Sequence, residues 1–197
     1  MKDFHKLIDT AKEAASLGYP LGEDARIYTK EGKRCFMTRE GADFTALTCK
    51  DICDVTGTSD PIKTAFVSSK WQSMILSRPP YCGRVIREEG ILPAVLDDCA
   101  QIIGLTTPLV SSDRFSVMRA LRRHAAVLLE DGTVIACGRD LYEAVTALSV
   151  LEKNAEIYCK AEVFGGAHFI SPIPGILEHL FYLKKYSKAE RRKQREL

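Results

Sequence analysis

The chain has 197 residues, of which 46% are apolar and 27% charged, and carries a formal net charge of +2. That length suits one well-buried core and is short for two domains, and the composition is that of an ordinary globular protein. No apolar run approaches the roughly 18 residues of a membrane span. The charged, helical stretch Met1 to Ala14 does not read as a secretion signal, so a cytoplasmic location is expected.

Phe4 to Leu17 places Phe4, Leu7, Ile8, Ala11, Ala14 and Ala15 at helical spacing, with Gly18 and Pro20 as the stop. Arg26 to Thr29 and Arg34 to Thr38 flank the turn Glu31-Gly32 and predict a hairpin. Leu47 to Val55 holds a third strand or a short helix. Ser69 to Leu76 reads as a helix ended by Pro79-Pro80. Pro93 to Ile103 reads as another, closed by Gly104. Thr106 to Val110 fits a strand, and Ser112 or Asp113 can cap a helix through Phe115, Met118, Ala120 and Leu121.

Two apolar runs follow, Ala125 to Leu129 and Val134 to Cys137, with the turn signal Asp131-Gly132 between them. Asp140 with Glu143 forms a capping box for a long helix, Leu141 to Lys160. A last amphipathic helix is expected over Ile176 to Glu190. Hairpins mixed with helices indicate an α/β or α+β single domain.

Seven cysteines, an odd number at scattered spacings, include no C-x-x-C pair. They read as reduced thiols and support neither a zinc knuckle nor a redox motif. The segment 184–197 is a basic tail of net +5, which leaves −3 for the rest of the chain. It lacks an aromatic stacking pattern and reads as a solvated helix end, not as a nucleic-acid arm.

The stretch A-A-V-L-L-E-D-G-T-V-I-A-C-G-R-D-L-Y-E-A, opening at Ala125, resembles the class II aldolase/adducin family, whose usual pattern there is L-L-x-N-H-G-V-V-V-x-G-x-D-L-x-E-A. Pro80 to Ile86, Leu92 to Gly104, Phe36 to Phe44 and Phe66 to Trp71 resemble further family segments in the same order. The resemblance covers most of residues 1–165. It implies a three-layer α/β/α sandwich around a central, mainly antiparallel sheet, with residues 1–183 as one domain. It also implies a homo-oligomer, a tetramer in many members.

Family enzymes hold zinc with three histidines and move a proton with a glutamate. On the resemblance, Leu76, Arg78 and Gly132 stand at the histidine positions and Lys70 at the glutamate. Leucine and glycine offer no ligand atom, and arginine is a permanent cation. The phosphate loop G-N-x-S is replaced by G-E-D-A, Gly22 to Ala25. Thr38, Gly41, Ser68 and Ser69 match positions that contact substrate phosphate, and Ser69 is expected at a helix N-terminus suited to an anion. Lys70 is the candidate catalytic group, as a carbonyl-attacking amine with Arg78 nearby to keep it neutral.

The expected protein is therefore class II aldolase-like, without a zinc cofactor. It binds a small anionic, sugar-phosphate-like ligand through Thr38, Gly41, Ser68, Ser69 and Arg78, or acts as an interaction module. The alternative is an active aldolase or epimerase, metal-independent through Lys70 or holding zinc by other ligands.

Overall fold

Runs of β-branched and apolar residues between turns assemble one eight-stranded sheet. Its strands are β1 (Arg26–Glu31), β2 (Arg34–Thr38), β3 (Ile52–Asp54), β4 (Ser73–Ser77), β5 (Ile91–Pro93), β6 (Thr106–Val110), β7 (Ala126–Leu129) and β8 (Val134–Gly138). A computed structural model describes residues 2–22, 24–88 and 90–193, with side chains except at residues 2, 3, 88, 183 and 185–193. The strand order is β3-β2-β1-β4-β8-β7-β6-β5, and every pairing is antiparallel except β6 with β7. The expected mainly antiparallel sheet is what the chain forms.

Alternation of side chains along the strands splits the interior into two layers. Ile27, Ile75, Ala126, Leu128, Val134 and Ala136 face one side. That side is covered by α1 (Lys2–Ser16), α3 (Pro80–Glu88), α4 (Asp97–Ile102) and α6 (Leu141–Val163). Tyr28, Met74, Leu76, Val127, Leu129 and Ile135 face the other, under α2 (Pro61–Val67) and α5 (Arg114–Leu121). The last helix, α7 (Pro172–Lys193), packs on α4. This is the three-layer α/β/α sandwich.

Local signals explain most boundaries. After α1, the Gly18 amide donates to the Ala15 carbonyl and that of Tyr19 to Ala14, a glycine-terminated helix end. Asp113 caps α5 by accepting from the amides of Phe115 and Ser116. Asp140 caps α6 by accepting from the Glu143 amide. The expected capping box is only half formed, because the Glu143 carboxylate turns instead to the amide and guanidinium of Arg139.

Two expectations need correction. Ser69 to Leu76 is not a helix; its second half is β4. All five residues of β4 are buried, because the strand lies mid-sheet between two helical layers. A strand buried on both faces shows no period-2 pattern, so a short apolar run there is ambiguous. The helix expected from Pro93 begins at Asp97, and residues 91–93 form β5. Of the basic tail, the α7 backbone continues to Lys193; side chains beyond Lys184 and all of 194–197 lie outside the described residues.

Candidate functional site

The sheet has two ends, and the candidate residues divide between them. Strand β4 enters from Ser68, Ser69 and Lys70 and exits at Arg78, so about 16 Å of extended backbone separates the two groups. Thr38 ends β2 and Gly41 follows in the next loop, both at the Arg78 end. Gly132 joins them in the turn between β7 and β8. Lys70 and Arg78 therefore do not form one pocket within a chain.

At the Lys70 end, Ser68 and Ser69 close the C-terminus of α2 and do not open a helix. The Ser68 hydroxyl donates to the Thr64 carbonyl at 3.0 Å and that of Ser69 to Phe66 at 2.7 Å. Helix C-termini present carbonyl oxygens, which attract cations. Lys30 answers them, its Nζ lying 2.8 Å from the Ser69 carbonyl and 3.4 Å from that of Phe66. Lys70 itself is exposed, with Nζ 4.6 Å from the Trp71 ring centroid.

At the Arg78 end, Leu76 is 3% exposed and belongs to the core. Arg78 follows it at the rim, its guanidinium 3.9 Å from Asp24 on one side and 3.9 Å from Asp131 on the other. Asp131 is held in place because its Oδ1 accepts from the Thr133 amide at 2.9 Å. Gly132 takes φ +88, a backbone that a histidine rarely adopts. Among the described residues, no three His, Cys, Asp or Glu side chains gather as metal ligands. Leu76 and Gly132, which the resemblance places at zinc positions, offer no ligand atom and Arg78 is a cation, so these three residues do not fit zinc.

The sequence reading missed Arg26, which the strand register pairs with Leu76 on the face shared with Tyr28. Its Nε is buried with no hydrogen-bond partner among the described residues. Burial pushes the Tyr28 phenol up to about 12, with Arg26 opposing the rise and Asp60 and Glu40 adding to it. A basic side chain inside the β1 run was the signal available for Arg26. Thr38, by contrast, is fully buried and its hydroxyl accepts from the Ile27 amide at 3.0 Å, which ties β1 to β2. Gly41 sits exposed at φ +71 in its turn. Of the replaced phosphate loop, Asp24 is placed beside Arg78, and Glu23 lies outside the described residues.

No protein-family model and no curated protein matches the sequence. Solved structures do. An L-fuculose 1-phosphate aldolase superposes with TM-score 0.75 at 18% identity, over 90% of this chain and 94% of that one. An L-fuculose 1-phosphate aldolase from Glaciozyma antarctica PI12 gives 0.72 at 14% identity, over 97% and 89%. An aldolase II superfamily protein from Pseudomonas syringae gives 0.68 at 14% identity, over 97% and 91%. The chain has the class II aldolase fold.

Proposed function

We propose that this chain is a class II aldolase-like protein that has given up zinc chemistry and binds a small anionic, sugar-phosphate-like ligand at the Arg78 end of the sheet. The observation that carries the reading is an exposed cation, Arg78, at the rim of the sheet, at a position that the sequence resemblance gives to a zinc ligand. Among the described residues, Arg78 is paired through two 3.9 Å contacts to half-exposed carboxylates. Exposed pairs of this kind are worth about 0–1 kcal/mol, so an incoming phosphate displaces them at small cost. A guanidinium offers a phosphate two parallel donors, and Arg26 brings a second one to the same sheet end.

Fold alone does not assign chemistry. The names of the similar structures point to sugar phosphates as the ligand class to try first. Lys70 is exposed, whereas an amine that attacks a carbonyl works best desolvated. The non-catalytic reading is therefore preferred to a lysine enzyme.

We assign the protein to the cytoplasm and to a homo-oligomer. Ile173, Leu177 and Phe181 are 74%, 50% and 66% exposed and spaced four apart along α7. Such a stripe is what a self-associating or interaction surface needs.

Titration calorimetry with L-fuculose 1-phosphate and with inorganic phosphate tests the ligand. Saturable binding, weakened about tenfold by Arg78→Ala, is expected, a loss of about 1.4 kcal/mol. Binding that ignores Arg78→Ala, or turnover of the sugar phosphate by the wild-type chain, rejects the reading.

A further inference from the structure

A cavity of about 290 Å³ lies between α7 and the body of the domain, and Arg78 is not among its described lining residues. Three basic side chains reach it from two directions: Arg123 and His124 from the segment before β7, and His179 from α7. No aspartate or glutamate is among the described residues that line it. This contrasts with Arg78, which has a carboxylate on each side. The remaining wall is mainly apolar, through Ile103, Leu105, Ile176 and Leu180.

We propose that this cavity is a binding site for a small organic acid, an oxyanion carried on a short apolar body. The charge comes from the basic trio and the fit for the body from the aliphatic wall. The volume is at the small end of ligand pockets, which suits a molecule well below drug size.

The chain builds the site in two ways. First, Gly175 lets α7 approach closely, since a Cβ there would stand 2.5 Å from Leu105 Cδ2. Second, the His179 ring is fixed: Nδ1 lies 2.7 Å from the Gln101 carbonyl, which can only accept, so Nδ1 carries the hydrogen. Nε2 is then the atom left for a ligand, and on protonation it becomes a donor. His124 stays neutral more readily than an ordinary histidine because of burial, then His179, then Arg123. A bound oxyanion offsets that bias by favouring the His124 imidazolium.

The test is an NMR titration of the histidine side chains of the full chain with hexanoate, at pH 6.5. We expect saturable shifts at His124 and His179, an affinity about tenfold lower in Arg123→Gln, and the same affinity as wild type in Arg78→Ala. Arg123 is exposed, so that variant keeps the fold. Hexan-1-ol is expected to bind at least tenfold more weakly, as is inorganic phosphate. The proposal is overturned if neither histidine shifts, if hexan-1-ol binds as well as hexanoate, if phosphate alone does, or if Arg123→Gln changes nothing. Loss of hexanoate binding in Arg78→Ala would place the ligand at the other site and also overturn it.

Discussion

Arg78 Nη2 stands 3.9 Å from Asp131 Oδ2, across the rim between the end of β4 and the turn into β8. The contact is long and about half exposed on both sides, so Asp131 competes with a ligand for the guanidinium more than it locks it. Asp131→Asn removes the competing charge and keeps an oxygen to accept from the Thr133 amide. Phosphate binding is expected to tighten two- to fivefold in the variant, roughly 0.4–1 kcal/mol. Calorimetry at fixed ionic strength reads it; unchanged or weaker binding would mean that Asp131 does not oppose the anion.

Lys70 packs over Trp71 at the opposite end of β4 and takes no part in this site. Borohydride reduction in the presence of aldehyde or ketone sugar phosphates should leave no stable adduct on Lys70. Peptide mass mapping detects one directly, and a trapped Lys70 would revive the lysine-enzyme alternative.

The fold was more legible than the site. Antiparallel hairpins announced themselves through Glu31-Gly32 and Asp131-Gly132, and α5 and α6 through their Asp113 and Asp140 caps. The helix α3 was not legible, because its N-terminus is capped from far along the chain: Glu152 on α6 accepts from the amides of Tyr81 and Cys82. The helix α2 carried a signal that went unused, Asp60 as cap followed by Pro61 at the first position. Because a helix was expected over Ser69 to Leu76 instead, Ser69 was expected at a helix N-terminus and Lys70 near Arg78, whereas β4 holds the two ends apart. Arg78 was legible as a candidate cation, but its two aspartates came only with the rim assembled.

Asn154 is fully buried on α6 and holds the segment between β5 and α4. Its Oδ1 accepts from the amides of Val95 and Leu96, and its Nδ2 donates to the Pro93 carbonyl. Asn154→Leu strands all three backbone groups. A loss of about 2–4 kcal/mol is expected by urea denaturation; a loss under about 1 kcal/mol would mean water replaces the side chain.

Gly138 ends β8 where α6 begins. A Cβ there would lie 2.4 Å from the Ala144 amide nitrogen and 2.6 Å from the Asp140 carbonyl oxygen, both backbone atoms that cannot swing away. Gly138→Ala should cost more than about 3 kcal/mol or abolish soluble expression. A thermal melt near the wild-type temperature would contradict that packing.

His124 gives stability a pH dependence. Its folded pKa is lowered, mainly by burial, with His179 and Arg123 adding to the effect. As pH falls below about 6.5, the unfolded chain takes up this proton before the folded one does. The contribution is complete above that pH and is lost as pH falls through the folded value. The melting temperature should drop between pH 7.5 and pH 5.5, and the drop should shrink in His124→Gln. An equal drop in both proteins would assign the effect to other groups.

Elemental analysis of protein purified without chelator or metal-affinity resin bears most directly on the loss of zinc chemistry. With Leu76, Arg78 and Gly132 at the positions that the resemblance gives to the zinc ligands, far less than one zinc per chain is expected. Close to one zinc per chain would contradict the proposed function and return the protein to the metal-dependent aldolases.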